Sequence, residues 1–247
     1  GEIGLAGGCC VDDFNNDGNI DIVASSFPLV DHIHVFFNDG KGSFEDVTTS
    51  SGIDGITGGM NLIHGDYDND GYKDIFVMRG GWLRESGKLP NSLLRNNGDG
   101  TFSDVTIAAG VLSFYPTQTA GWAVFDSDGC LDLFIGNEAG WSQHNEYTNI
   151  LNQDAICELY QNNGDGTFTN VASEVGLDVK AFVKGCTWGD INNDILPDLY
   201  LSVMGDKNLL FLNKGEQADG TWNFEDISES AGVQAPIFSL SLIHISE

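Results

Sequence analysis

The chain has 247 residues, with 37 Asp and Glu against 10 Lys and Arg, and a net charge of −27. A field of that sign repels nucleic acid and anionic membrane surfaces, so neither is expected as a partner, and no stretch is apolar enough for membrane insertion. Its 32 glycines and dense turn residues leave little uninterrupted helical periodicity and point to an all-β chain.

The first phrase in chain order is an acidic loop, Asp13-Phe14-Asn15-Asn16-Asp17-Gly18-Asn19-Ile20-Asp21, running into Ile22-Val23-Ala24. A hairpin signal follows in Asn38-Asp39-Gly40-Lys41-Gly42-Ser43-Phe44, then a small-residue turn at Ser51-Gly52-Ile53. The second unit repeats the order, with Asp66-Tyr67-Asp68-Asn69-Asp70-Gly71-Tyr72-Lys73-Asp74 before Ile75-Phe76-Val77-Met78, and its hairpin phrase at Asn96-Asn97-Gly98-Asp99-Gly100-Thr101-Phe102. In the third, the loop is Val124-Phe125-Asp126-Ser127-Asp128-Gly129-Cys130-Leu131-Asp132 and the hairpin Asn162-Asn163-Gly164-Asp165-Gly166-Thr167-Phe168. The fourth loop is Asp190-Ile191-Asn192-Asn193-Asp194-Ile195-Leu196-Pro197-Asp198, with a stretched hairpin from Asn213-Lys214-Gly215 to Asn223-Phe224.

Loop starts lie 53, 58 and 66 residues apart, from 13 to 66, 124 and 190. Each unit reads strand, acidic loop, strand, connection, strand, hairpin, strand, which is the arithmetic of a β-propeller blade. The expected boundaries are 1–54, 55–112, 113–178 and 179–235 for four blades. Residues 236–239 read as the entry to a further blade, and 240–247 as a non-native tail.

Oxygen ligands at loop positions 1, 3, 5 and 9 around a tight turn suit a hard divalent cation. Crowding three or four carboxylates into nine residues is unfavourable without one. The expected ligands are Asp13, Asn15, Asp17 and Asp21; Asp66, Asp68, Asp70 and Asp74; and Asp190, Asn192, Asp194 and Asp198. The third loop offers a weaker set, Asp126, Asp128 and Asp132, because Val124 stands at position 1. The fourth keeps its ligands but has Ile195 where the turn glycine belongs. Calcium, three to four ions, is the expected cofactor. Magnesium is second, since it keeps more of its water and needs a stricter octahedron. An EF-hand is excluded, because position 12 is Ala24, Val77, Ile135 or Leu201 and strands replace the flanking helices.

With these in-register motifs the chain resembles the FG-GAP/VCBS repeat proteins, with integrin-α-like propeller blades, and is most similar to the cartilage-acidic-protein-like (ASPIC/UnbV) branch. The resemblance covers about residues 6–239. It implies calcium on the hairpin between the first two strands of each blade and a full ring of seven blades. Four units are fewer than that, so the chain is expected to be a β-propeller fragment whose remaining blades are partners in the same longer protein.

Thirteen of the 37 acids sit at ligand positions, so four calcium ions would leave −19 and three −21 (−27 + 8 and −27 + 6). Extracellular calcium modules bind at roughly 0.1–1 mM, an affinity that favours a secreted or cell-surface protein. The absence of an Asn-x-Ser/Thr sequon favours a bacterial source. Of the five cysteines, Cys130 and Cys157 share a unit and are the pair the order allows.

No nucleophile elbow, phosphate-cradling loop or zinc-protease helix motif is present. His32 and His34 read as a half-exposed strand in preference to a two-histidine metal site, and His64 as a blade residue. Two insertions break the repeat: Arg79–Lys88, with Trp82, and Asn137–Cys157, with Trp141, His144, Glu146 and Tyr147. Loop packing is the plainer reading of both, and binding of a sugar or peptide the sharper one. Two functions follow. The first is a calcium-binding adhesion or ligand-binding propeller for a protein or glycan, with no catalysis of its own. The alternative is the propeller region of a secreted enzyme acting on polysaccharide or phospholipid.

Overall fold

The computed structural model describes residues 7–139 and 154–236. Its strands form four antiparallel four-stranded sheets, each a meander in chain order. The first sheet holds β1 (Cys9–Asp12), β2 (Asp21–Ala24), β3 (His34–Asn38) and β4 (Phe44–Asp46). The second holds β5 (Asn61–Gly65), β6 (Asp74–Met78), β7 (Ser92–Asn96) and β8 (Phe102–Asp104). The third holds β9 (Thr117–Ala123), β10 (Asp132–Asn137), β11 (Glu158–Asn162) and β12 (Phe168–Asn170). The fourth holds β13 (Val183–Gly189), β14 (Asp198–Val203), β15 (Leu209–Glu216) and β16 (Trp222–Asp226). The leading strands β1, β5, β9 and β13 pack side by side, so the sheets succeed one another as propeller blades. Helix among the described residues is confined to a 3-10 turn, Arg84–Gly87, and a single α turn, Ala172–Val175.

The apolar run after each acidic loop is continuous because the second strand of a blade is covered on both faces. Along β6 every residue is buried. Successive side chains of a strand point to opposite faces, and here each face meets a different blade. Ile75 and Val77 join Val23, Val35 and Leu94 in one core; Phe76 and Met78 join Leu133, Ile135 and Phe168 in the next. β10 repeats the division, sending Phe134 into a third core with Leu159, Leu199, Leu201 and Phe224. The cores therefore lie between blades, and a blade is stable only against its neighbours.

The acidic loops all connect the first strand of a blade to the second, and gather at the same end as the Asn-Gly hairpins. The two insertions leave from the opposite end. Isolated bridges His32–Thr57, Gly80–Thr117 and Glu138–Phe182 tie the blades together there. All five cysteines are free; Cys157 is wholly buried while Cys130 lies in the third loop, so the pairing that shared unit membership allowed does not form.

Candidate metal centre

Every acidic loop has the same backbone. Position 4 is left-handed in all four, with φ of 56° at Asn16, 57° at Asn69, 61° at Ser127 and 63° at Asn193. Position 6 is left-handed too: φ is 88° at Gly18, 92° at Gly71, 88° at Gly129 and 78° at Ile195. Three loops meet this with glycine, and Ile195 adopts the strained conformation while 87% exposed.

The aspartate at position 9 organises each loop. Asp21, Asp74, Asp132 and Asp198 are buried. One oxygen accepts the N–H of position 2, from Phe14 at 3.0 Å, Tyr67 at 3.1 Å, Phe125 at 3.0 Å and Ile191 at 2.9 Å. The other accepts the N–H of an asparagine on the third strand, at 2.9 Å from Asn38, 2.8 Å from Asn96, 2.9 Å from Asn162 and 2.8 Å from Asn213. Burial pushes Asp74 and Asp132 up to about 7 despite those donors, and raises Asp21 and Asp198 as well. A carboxylate has about four lone-pair sites, so the two N–H bonds leave room for a cation.

Positions 1 and 5 are held by the loop's own amides. Asp66 accepts from the N–H of Asp70 and of Gly71, both at 3.0 Å. Asp70 accepts from Tyr72 at 2.9 Å. Asp13 and Asp190 repeat the first arrangement, and the Ile195 and Asp194 amides help hold Asp190 below the usual carboxylate range.

Position 3 separates the loops. In the second, one oxygen from each of Asp66, Asp68 and Asp74 lies within 4.8 Å of the others. Asp68 Oδ1 is buried with no hydrogen-bond partner. Burial, then repulsion from Asp70, raises the Asp68 carboxyl. An orphaned buried oxygen facing two further carboxylates fits a hard cation and is unfavourable without one. In the first and fourth loops a neutral amide stands at position 3, and Asn15 Nδ2 reaches Asp17 Oδ2 at 3.2 Å, Asn192 Nδ2 Asp194 Oδ2 at 2.8 Å. They match the second loop in aspartate at positions 1, 5 and 9. In the third loop Asp126 Oδ2 instead accepts from Gln161 Nε2 at 2.6 Å.

The sequence singles out these loop residues but not what holds them. In the sequence Asn96, Asn162 and Asn213 read only as hairpin residues. The available signal was the persistence of Asn-x-Gly in the stretched fourth copy, where little else of the phrase survives. Gln161 carries no local signal at all.

The other residues singled out in the sequence have structural partners. His34 Nδ1 lies 3.2 Å from Asp46 Oδ2 and its ring stacks on Phe36; His32 precedes β3, so the two do not share a strand. His64 Nε2 meets Asp12 Oδ2 at 3.0 Å, linking β5 to β1. In the first insertion Arg79 is buried and donates to the carbonyls of Thr57 and Pro90. The Trp82 N–H donates to Glu138 Oε2 at 2.8 Å, and its ring covers Lys184 Nζ at 3.4 Å. Lys184 pairs with the buried Glu138, and burial lowers the ammonium to about 8. This insertion thus packs three blades together, and packing is its plain role. Trp141, His144, Glu146 and Tyr147 of the second insertion lie outside the described residues, as do 237–247.

Together, the blades and their aspartate loops define a repeat protein of β-propeller class. The chain belongs to the FG-GAP-like repeat family, whose model matches residues 13–77 and 125–201. It is 35% identical over 95 residues to cartilage acidic protein 1 of Xenopus tropicalis, an alignment covering 38% of this chain and 14% of that protein. The chain therefore spans about a seventh of that curated relative. Among solved structures, the crystal structure of an exotype rhamnogalacturonan lyase aligns with 90% of this chain and 39% of its own, at 13% identity and a TM-score of 0.41. No helix among the described residues is long and apolar enough to cross a membrane.

Proposed function

We propose that the chain is a calcium-braced propeller scaffold of a secreted or cell-surface protein, presenting a surface to a protein or glycan ligand without catalysis of its own. The observation that carries this reading is the second loop, where three aspartates converge around a buried, unpartnered Asp68 Oδ1. Asp66, Asp68, Asp70 and Asp74 would hold the ion, with the matching residues of the first and fourth loops holding two more. Bound calcium supplies positive charge that offsets the repulsion among these carboxylates. The chain's own residues fix the geometry: Asp74 joins the loop to β7 through the Asn96 amide, and the amides of Asp70 and Gly71 orient Asp66.

The expected affinity of roughly 0.1–1 mM suits a compartment rich in calcium, which supports export. A site of 0.1 mM at 2 mM calcium adds about 1.8 kcal/mol to stability. The test is a thermal melt of EDTA-stripped protein with and without 2 mM calcium, with magnesium as the control. The reading predicts a midpoint several degrees higher with calcium and a smaller rise with magnesium; no rise with calcium overturns it. Turnover of a polysaccharide or phospholipid by the purified chain would place the propeller in an enzyme instead.

A further inference from the structure

The first three acidic loops are each seated on the blade that follows. Position 2 of these loops is Phe14, Tyr67 or Phe125, and all three are buried. Its N–H is pinned by the position 9 aspartate of its own loop. Its carbonyl is pinned by the next blade: Asn96 Nδ2 donates to Phe14 O at 2.7 Å, Asn162 Nδ2 to Tyr67 O at 2.8 Å, and Asn213 Nδ2 to Phe125 O at 2.9 Å. The ring packs on the hairpin phenylalanine of that same blade, with centroids 6.3 Å apart for Phe14–Phe102, 5.5 Å for Tyr67–Phe168 and 6.0 Å for Phe125–Phe224.

We propose that these asparagines are positioning residues for calcium, so that the cation sites of the first and second loops are two-blade units whose ligands at positions 1 and 3 are set by the blade that follows. The inference rests on the calcium reading above and deepens it. In the second loop the Tyr67 peptide joins Asp66 to Asp68. Releasing its carbonyl frees the torsions that aim both carboxylates, so the loop must be reordered when an ion binds. Linkage makes the effect reciprocal: calcium on the second loop tightens the grip of the third blade on the second. The Asn side chain is held for this task, since its Oδ1 accepts the Gly164 N–H at 3.0 Å and its Nδ2 also donates to Leu131 O at 3.0 Å.

Asn162 gives the cleanest test because the loop of its own blade lacks a first ligand. Asn162→Asp keeps the shape and the Oδ1 acceptor but sets an oxygen against Tyr67 O. Calorimetric calcium titrations would compare wild type, Asn162→Asp and Asp68→Ala, the last marking which heat belongs to the second loop. The expected result is a second-loop affinity weaker by on the order of tenfold in Asn162→Asp, with the other sites unchanged. A lower melting point in EDTA with unchanged calcium affinity would make Asn162 merely structural and overturn the inference. No calcium heat in wild type would overturn the calcium reading itself, a distinct outcome. Hydrogen exchange on wild type needs no Asn variant to fold: calcium should slow the blade-three hairpin amides at Asn162 and Gly164, and should not in Asp68→Ala. Equal exchange with and without calcium in a wild type that binds it contradicts the coupling.

Discussion

The second and third loops share one frame and differ in what fills it. Both have left-handed residues at positions 4 and 6, a buried aspartate at position 9 bonded to two amides, and a carbonyl clamped by the next blade. The second adds Asp66 and an orphaned Asp68 oxygen. The third has Val124, and the Gln161 amide occupies Asp126. The difference separates two roles that one motif carries. Position 9 and the asparagine are bonded alike in both loops, while positions 1 and 3 differ, and on the calcium proposal these two decide whether a cation binds.

The strongest test of that separation removes the shared part. Asp74→Ala and Asp132→Ala each strand two buried N–H groups and should destabilise by about 2–5 kcal/mol in urea unfolding in EDTA, with Asp74→Ala alone losing about 1.8 kcal/mol more in 2 mM calcium. A loss that appeared only with calcium would make position 9 a ligand first and a brace second. Next comes the part that differs. Asp68→Ala should remove about 1.8 kcal/mol of the stability gained at 2 mM calcium. Asp126→Asn should remove none of it, and a comparable loss there would erase the contrast between the loops. A third experiment converts one loop into the other: Val124→Asp with Gln161→Ala restores the first ligand and frees Asp126, and calcium titration should then show one more ion. The smallest effect belongs to the frame of the fourth loop. Ile195→Gly relieves a side chain held at φ 78° and should raise stability by about 1 kcal/mol.

What could be read in the sequence was local. Asp-x-Asp-x-Asp-Gly carries its own turn chemistry within nine residues, and Asn-Gly hairpins carry theirs, so the loops and strands of a blade follow from neighbours in the chain. The double-sided burial of β6 was visible as an unbroken apolar run. The clamps were not, because Asn96, Asn162 and Asn213 reach carbonyls 82, 95 and 88 residues away. No local pattern distinguishes such an asparagine from a turn former. Gln161 was hidden likewise, 35 residues from the carboxylate it contacts. The partners of Arg79 were hidden too: loop packing is the plainer reading of its insertion, but that reading does not say that its guanidinium is buried against the carbonyls of Thr57 and Pro90.

Calorimetric titration of calcium into EDTA-stripped protein, wild type beside Asp68→Ala, tests the central claim most directly. The account predicts about three ions on wild type, at roughly 0.1–1 mM, and one fewer on Asp68→Ala. Absence of binding to wild type, or an unchanged stoichiometry in Asp68→Ala, would contradict it.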